Sequence, residues 1–287
     1  MRKKVLIRVL IIAAAVLFLG TAALFILRPD SRFAAGRVID SFSGSAELKE
    51  INEAELELQD IKPEDAEKFS VSVDQSLMLV NNENTLKNDF VPEMSEYKKS
   101  GVQMNKCILS SYAELSKAVS EKFGEKLFVM SSYRTAEEQA EIETEQGSDT
   151  AMPAGSSEHQ TGLALDVYLQ GFAGEAIIKC EAGQFINTNC QDYGFIIRYP
   201  ILKKNVTGID YEPWHIRYVG SPHAEIISKE HETLEEYFDS LEYGKFYRYE
   251  SYTISRQNGK TLKIPKGENR VISSDNCGGY IITVKTQ

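Results

Sequence analysis

The pattern of hydrophobic and polar positions predicts alternating helices and strands in the central part of the chain. Apolar residues recur at three- and four-residue steps over 107–123, which is the period of an amphipathic helix, and Gly124 is expected to end it. A second helix is expected to begin at Thr135, where Thr-x-x-Glu forms a capping box. Helices are also predicted at 185–194 and 222–241, and short apolar runs predict strands at 76–81, 126–131, 163–167, 195–200 and 215–219.

The segment that precedes this central part has a different composition. Residues 28–75 contain an acidic run with few aromatic residues, which predicts a stalk with short helices. One of these helices is expected to begin at Lys62-Pro63, since proline is favoured in the first helical turn.

The C-terminal segment alternates like β structure. Residues 247–254 alternate as a single strand would, and Asn258-Gly259 is typical of a two-residue hairpin. Further strands are predicted at 271–272 and 280–284. We therefore expect residues 243–287 to form a small β appendage.

The N-terminus contains the longest apolar run. Residues 9–27 carry no charge, and a membrane-spanning helix needs about 20 apolar residues. Four basic residues lie within 1–8, so this end is expected to stay in the cytoplasm. The run is longer than the roughly 7–15 residues of a cleaved signal peptide, which favours an uncleaved single-pass anchor with the rest of the chain outside the cell membrane.

Charge limits the class of partner. The chain carries a formal net charge of −10 at pH 7, and because residues 1–28 contain five basic and no acidic side chains, residues 29–287 carry −15. An acidic domain binds polyanions poorly, so no nucleic acid is expected among its partners. The four cysteines form no Cys-x-x-Cys pair, which argues against a cysteine zinc site.

Two short segments hold the candidate chemistry. The first is Ser-Glu-His-Gln-Thr-Gly-Leu-Ala-Leu-Asp at 157–166, and the second is Glu-Pro-Trp-His at 212–215. Together they provide two histidines and an aspartate, His159, Asp166 and His215. Two imidazoles and one carboxylate form a catalytic zinc set whose fourth position is open to water. The glutamate three residues before the last histidine is suited to take a proton from that water.

Each segment alone also has an ordinary structural explanation. A His-x6-Asp pair often forms only a hydrogen bond, and Glu-Pro-Trp-His is also compatible with a surface loop. Asp166, however, lies in an apolar strand, where an unpaired carboxylate is costly to bury. Pro213 excludes a continuous helix through Glu212 and His215. The two segments together therefore favour a metal site.

With their flanking residues, these segments resemble the VanY-type D-alanyl-D-alanine carboxypeptidases of the lysostaphin/D-Ala-D-Ala/hedgehog metallopeptidase group. The family pattern is a Tyr-Arg motif, then Ser-x-His-x6-Asp, then Glu-x-x-His. The chain has these motifs in that order, at Tyr133-Arg134, 157–166 and 212–215. The resemblance covers residues 76–242, which we expect to form the zinc carboxypeptidase domain.

The resemblance implies a role for each matching residue. His159, Asp166 and His215 would bind Zn²⁺, and Glu212 would be the general base and then the general acid. Arg134 would stabilise the oxyanion or hold the substrate carboxylate, because a guanidinium fork suits either task. The residues implied to line the substrate pocket are Gln139, Ser157, Tyr199 and Trp214.

Several of these residues also have plain structural interpretations. Arg134 is also suited to an ion pair with a core carboxylate, and Tyr199 and Trp214 to core packing. His223 and His231 lie on the polar side of the predicted late helix and are expected to be solvated.

The implied fold is α+β, with a small antiparallel sheet that carries the zinc site and helices packed on one side. The implied function is zinc-dependent removal of the terminal D-Ala from peptidoglycan pentapeptide stems or their lipid-linked precursor, which would contribute to glycopeptide resistance. An L,D-carboxypeptidase acting on tetrapeptide stems uses the same motifs. A non-catalytic zinc-containing peptidoglycan-binding module is a third possibility, against which the presence of Glu212 and Arg134 argues.

Overall fold

The amphipathic segment after Cys107 forms a helix that ends at Gly124, as its apolar period predicts. The structure is a computed structural model and describes residues 20, 28–44, 46–87, 89–146 and 152–286. Its α-helices are α1 (Pro29–Asp40), α2 (Leu109–Phe123), α3 (Ala136–Gln146), α4 (Glu181–Asn189), α5 (Lys204–Thr207), α6 (His223–Glu230) and α7 (Leu234–Ser240).

The strands belong to four small sheets, so that the fold is mixed α+β. In chain order they are β1 (Lys49–Ile51), β2 (Leu58–Ile61), β3 (Ser72–Asp74), β4 (Met94–Glu96), β5 (Gln103–Asn105), β6 (Phe128–Ser131), β7 (Ala164–Tyr168), β8 (Phe195–Ile197), β9 (His215–Tyr218), β10 (Phe246–Tyr249), β11 (Tyr252–Gln257), β12 (Leu262–Pro265), β13 (Glu268–Ser274) and β14 (Tyr280–Lys285).

The predicted antiparallel sheet is present, with the strand order β6-β7-β9-β8. Alternate residues of β7 point to opposite faces. Leu165 and Val167 are fully buried in a core shared with α2 and α4. Asp166 therefore faces the other side, where the register places it directly opposite His215 of β9.

A second sheet has the order β1-β10-β11-β14-β13-β3, and it corrects the stalk prediction. β1 pairs with β10, β3 pairs with β13, and β2 pairs with β12 in a separate two-stranded sheet. Residues 49–74 are thus part of the same β structure as the C-terminal strands. Local composition missed this because their pairing partners lie about two hundred positions later in the sequence.

The late helix is two helices rather than one. α6 ends at Glu230, because His231 adopts a left-handed backbone with φ 54°. α7 then begins with its own capping box, in which Thr233 and Glu236 bond reciprocally. The apolar period continues across the break, so periodicity alone joined the two helices.

Three further local predictions were wrong. Residues 76–81 form no strand, although Leu77 to Val80 are buried. The run at 247–254 is divided between β10 and β11 by a turn in which Glu250 has φ 50°. Asn258-Gly259 joins β11 to β12, but these strands pair with other partners instead of forming a hairpin.

The predicted membrane anchor at 9–27 lies outside the described residues, apart from Gly20, as does the predicted cytoplasmic segment at 1–8. Among the helices that the structure describes, none combines the length and the apolar character needed to cross a membrane.

Candidate metal centre

The first metal-binding candidate, His159, lies in a 3₁₀ turn at Glu158–Thr161 that leads into β7. Gly162 ends this turn with φ 67°, and a Cβ atom there would lie 2.8 Å from the backbone nitrogen of Asn105. Only glycine fits this combination of positive φ and close approach. His159 Nδ1 lies 2.8 Å from Ser132 O, so this contact leaves Nε2 for a ligand.

Three side chains converge in front of the sheet. His159 Nε2 lies 3.3 Å from Asp166 Oδ2, and His215 Nδ1 lies 2.9 Å from Asp166 Oδ1. One ligand atom from each of the three residues lies within 4.8 Å of the others. Adjacent ligands of a tetrahedral Zn²⁺ at about 2.0–2.1 Å are about 3.3 Å apart. The donor set and its spacing therefore fit a zinc ion.

The charges of the set also suit a cation. Burial by itself would raise the pKa of Asp166, but hydrogen bonds from His159 and His215 outweigh burial and hold that pKa well below its usual range. Burial lowers the pKa of His159. Burial would also lower the pKa of His215, but its contacts with Asp166 and Glu158 raise it to about 9.

Glu212 lies beside the three ligand residues. Its Oε2 is 3.7 Å from His215 Nδ1, and its backbone N–H donates to Tyr199 O at 3.1 Å. Burial raises the pKa of Glu212 even though His215 acts in the opposite direction. A half-buried carboxylate with a raised pKa beside a metal site is suited to exchange protons near neutral pH.

Arg134 is held by neutral groups. Its Nη1 donates to Gln139 Oε1 at 2.9 Å, and its Nη2 donates to Ser131 Oγ at 3.0 Å. These contacts orient the guanidinium without neutralising its charge, which favours an anion-binding role over the core ion pair considered from the sequence. The Gln139 amide nitrogen donates to Met152 O at 2.6 Å. Gln139 is 1% exposed, so the structure places it as a support for Arg134 rather than as a direct substrate contact.

All nine residues predicted for the site line one cavity of about 740 Å³, within the range of small-ligand sites. Tyr199 packs its ring 4.9 Å from the His215 ring. Trp214 is half-buried, and Ser157 is buried. The structure thus brings together, from α3, β7, β9 and the connecting segments, residues that span 82 positions of the chain. The cavity-lining predictions are Arg134, Gln139, Ser157, His159, Asp166, Tyr199, Glu212, Trp214 and His215.

The sequence reasoning missed a charged cluster behind the site. Glu158 accepts hydrogen bonds from Arg198 and Arg217, and Arg198 also pairs with Glu235. Burial would raise the pKa of Glu158, but the two arginines hold it well below its usual range. Arg198 and Arg217 follow or interrupt apolar strands, and the argument that Asp166 needs a partner applied equally to them.

The structure corrects the prediction made for His223. It was expected to be solvated, but it is 3% exposed and lies 2.7 Å from both Tyr237 Oη and Thr283 Oγ1. The second sheet covers the side of α6 that local periodicity assigned to solvent. His231 is half-buried.

Comparison with known proteins gives the same assignment as the site. The family model described as "VanY: D-alanyl-D-alanine carboxypeptidase" matches residues 101–221. A D-alanyl-D-alanine carboxypeptidase of Enterococcus faecium is 37% identical over 198 residues, which cover 62% of this chain and 63% of that protein. The chain thus spans less than two thirds of the length of this curated relative.

Two solved structures are also similar. A vancomycin resistance D,D-pentapeptidase VanY in complex with Zn(II) is 32% identical, with 57% of this chain and 98% of that chain covered and a TM-score of 0.50. The LD-carboxypeptidase LdcB is 28% identical, with 65% of this chain and 95% of that chain covered and a TM-score of 0.54. The fold and the His159/Asp166/His215 set are similar to those of a Zn(II)-bound peptidase. The chain belongs to the VanY family of D-alanyl-D-alanine carboxypeptidases.

Proposed function

We propose that this protein is a zinc-dependent D-alanyl-D-alanine carboxypeptidase that releases the terminal D-Ala from peptidoglycan pentapeptide stems. The observation that carries the proposal is the convergence of His159, Asp166 and His215, with Glu212 beside them, in one cavity. Membership of the VanY family and similarity to a Zn(II)-bound D,D-pentapeptidase support it. Removal of the terminal D-Ala would contribute to vancomycin resistance.

The residues have separate tasks in this reaction. A Zn²⁺ ion held by His159, Asp166 and His215 would supply a Lewis acid that polarises the scissile carbonyl and lowers the pKa of water. Glu212 takes the proton from the attacking water and delivers it to the leaving amine, which its raised pKa favours. Arg134 stabilises the negative charge on the tetrahedral oxygen or binds the terminal carboxylate.

The pocket side chains fix the orientation of the substrate. Ser157, Trp214 and Tyr199 line the cavity around the ligand residues. Gln139 keeps Arg134 in place through its 2.9 Å hydrogen bond. If Arg134 binds the terminal carboxylate, the last amide bond of the peptide would lie in the same cavity as Glu212, which would restrict cleavage to one residue from the C-terminus.

The second candidate is an L,D-carboxypeptidase that cleaves tetrapeptide stems, and the similarity to LdcB favours its consideration. Both reactions release a terminal D-Ala, but the residue before the scissile bond differs in identity and configuration, and the two stems differ in length by one residue. The third candidate, a zinc-containing module that binds stem peptides without cleaving them, is opposed by the positions of Glu212 and Arg134 in the cavity.

The substrate test uses the full chain purified in detergent and offered pentapeptide stems, tetrapeptide stems and free D-Ala-D-Ala. We expect D-Ala release from the pentapeptide, little release from the free dipeptide, inhibition by chelators with recovery on adding Zn²⁺, and no inhibition by β-lactams. Hydrolysis of the tetrapeptide alone would establish the L,D activity instead. Binding without cleavage of either stem would favour the non-catalytic module.

We also propose that residues 9–27 anchor the protein in the cell membrane as a single-pass helix, with the catalytic part outside. Their uncharged apolar composition and the basic residues before them support this topology. The anchor would keep residues 76–242, the proposed catalytic domain, close to exported stem peptides and lipid-linked precursor.

A further inference from the structure

Behind the metal ligands lies a carboxylate that the proposed reaction does not use. Glu158 precedes His159, and its side chain is fully buried. Its Oε1 accepts two hydrogen bonds of 2.7 Å, one from Arg198 Nε and one from Arg217 Nη1. Both arginine side chains are themselves almost completely buried. A buried carboxylate is therefore held on one oxygen by two cations.

The second oxygen of Glu158 faces a metal ligand. Glu158 Oε2 lies 3.7 Å from His215 Nε2. Within the described part of the chain, both atoms are buried and neither has a hydrogen-bond partner. A buried polar atom without a partner destabilises the folded state. A small displacement would bring Glu158 Oε2 and His215 Nε2 into hydrogen-bond contact, and both atoms would then have a partner.

Residues outside the site hold the two arginines that orient the Glu158 carboxylate. Arg198 donates to both oxygens of Glu235, at 2.6 and 2.8 Å. Arg217 donates to the backbone oxygens of Ser76 and Met78, at 3.0 and 2.8 Å. Because both arginines are held at their far ends, Glu158 cannot turn its free oxygen away from His215 without breaking these bonds.

The contacts of His215 indicate which ring nitrogen would bind the metal and which would carry the proton. His215 presents Nδ1 to Asp166, so Nδ1 is the atom that would bind the metal. A ligating nitrogen must be unprotonated, which puts the imidazole proton on Nε2. Only this tautomer of His215 binds zinc through Nδ1, and an acceptor placed at Nε2 favours it over the other.

We propose that Glu158 is a positioning residue for zinc, which accepts the Nε2 proton of His215 and thereby fixes the tautomer and the ring orientation of this ligand. The inference rests on the proposed zinc site and adds a residue to it. Carboxylates that receive the second N–H of a ligating histidine raise its basicity, and their loss usually costs 10–100-fold in metal affinity or activity. The competing role for Glu158 is that of a counter-ion for the two arginines alone.

The test compares zinc affinity in the full chain, measured by competition with a chromophoric chelator. Glu158→Gln is expected to weaken zinc binding about 10–100-fold, because an amide whose oxygen faces the arginines turns its N–H₂ group toward His215. The matched control is Glu235→Gln, which also removes a carboxylate from Arg198 and does not contact His215, while Arg217, held by Ser76 O and Met78 O, still fixes Glu158 Oε1. It should leave zinc affinity within about threefold of the unsubstituted protein. An equal loss in both variants, or no loss in Glu158→Gln, would overturn the proposal.

If Glu158→Gln does not fold, Glu158→Asp keeps the charge for the arginines and withdraws the carboxylate from His215 by one methylene. It is expected to lose at least threefold in zinc affinity, and unchanged affinity in folded Glu158→Asp would exclude the role.

A spectroscopic measurement needs no substitution. With ¹⁵N-labelled histidine, of which the chain has four, zinc-loaded protein should show His215 protonated at Nε2 with slow exchange of that proton. An unprotonated Nε2 in the zinc-loaded protein contradicts the proposal. Unsubstituted protein that binds no zinc would refute the proposed function itself, whereas zinc binding that is indifferent to Glu158 would refute only this inference.

Discussion

At the scale of single residues, the site separates binding the metal from moving the proton. His159, Asp166 and His215 converge on one point, whereas Glu212 approaches no closer than 3.7 Å to His215 Nδ1. The environment of Glu212 raises its pKa and that of Asp166 lowers its pKa. Two carboxylates of similar intrinsic acidity are thereby suited to different tasks.

This separation predicts the behaviour of Glu212→Gln. The variant should keep its zinc, because Glu212 is outside the ligand set, but lose at least about 10²-fold in turnover, the usual scale for general acid–base catalysis. Zinc content by elemental analysis and D-Ala release would be measured on the same preparation. His215→Ala serves as the contrast and should lose both zinc and activity. Near-normal turnover of Glu212→Gln would place the base elsewhere.

A second residue-scale prediction concerns acid stability. Burial lowers the pKa of His223 to about 3, from 6.5. Between these two pH values the unfolded chain binds a proton at this residue and the folded chain does not. The contribution of His223 to the free energy of unfolding should therefore be fully present above pH 6.5 and fall by about 1.4 kcal/mol per pH unit as the pH decreases toward 3.

The check is denaturant unfolding of His223→Gln between pH 4 and pH 8. The variant should be less stable than the unsubstituted protein at pH 8, because its bonds to Tyr237 and Thr283 are altered, and its stability should depend less on pH below 6.5. His231→Gln, at a half-buried position, should follow the unsubstituted protein more closely. Parallel pH profiles for all three proteins would show that His223 does not carry the effect.

At the scale of elements, the second sheet supports one wall of the cavity. Asn276, in the connection between β13 and β14, donates to Leu79 O at 3.0 Å and to Asn84 O at 3.1 Å. The segment between Leu79 and Asn84 includes Asn82, which lines the cavity. Shortly after this segment, Leu86 N donates to Gly155 O at 2.8 Å, in the loop before Ser157. The C-terminal β structure therefore has a structural connection to the site.

Asn276→Ala should loosen this wall. The substitution removes two hydrogen bonds, worth about 1 kcal/mol each, from a residue with φ 57°. We expect a lower melting temperature and a several-fold lower kcat/KM on stem peptides, with zinc affinity unchanged. Asn269→Ala is the matched control, because Asn269 also has a positive φ of 47° but is exposed in β13. If both variants lose stability and activity equally, the backbone conformation rather than the contact is responsible.

At the scale of the whole molecule, the proposed anchor predicts that the protein is associated with the membrane. The full chain should sediment with membranes and resist extraction by high salt, because about 20 apolar residues are enough to span the bilayer. A chain that lacks residues 1–28 should remain in the soluble fraction. Release of the full chain by salt alone would contradict an inserted helix, and a shortened N-terminus on the mature protein would indicate a cleaved signal peptide.

Local sequence patterns were enough to predict the candidate site and the sheet that carries it. The ligands come from local patterns, His-x6-Asp and Glu-x-x-His, and the apolar alternation of β7 and β9 predicts which residues share a face. A strand's period of two leaves Asp166 and His215 on the same side once the strands pair. For this reason the convergence of His159, Asp166, His215 and Glu212, and most of α2, α3 and the central strands, could be predicted.

Contacts between residues that are distant in sequence could not be predicted and became visible in the folded chain. β1, β2 and β3 pair with strands about two hundred residues later, and Glu158 meets Arg198 and Arg217 forty and fifty-nine positions away. Local periodicity reports which face of an element is apolar but not which element covers it. That limit explains why the stalk prediction and the prediction of a solvated His223 were wrong and why the contacts of Glu158 were missed. Each depends on a contact that forms only in the folded chain.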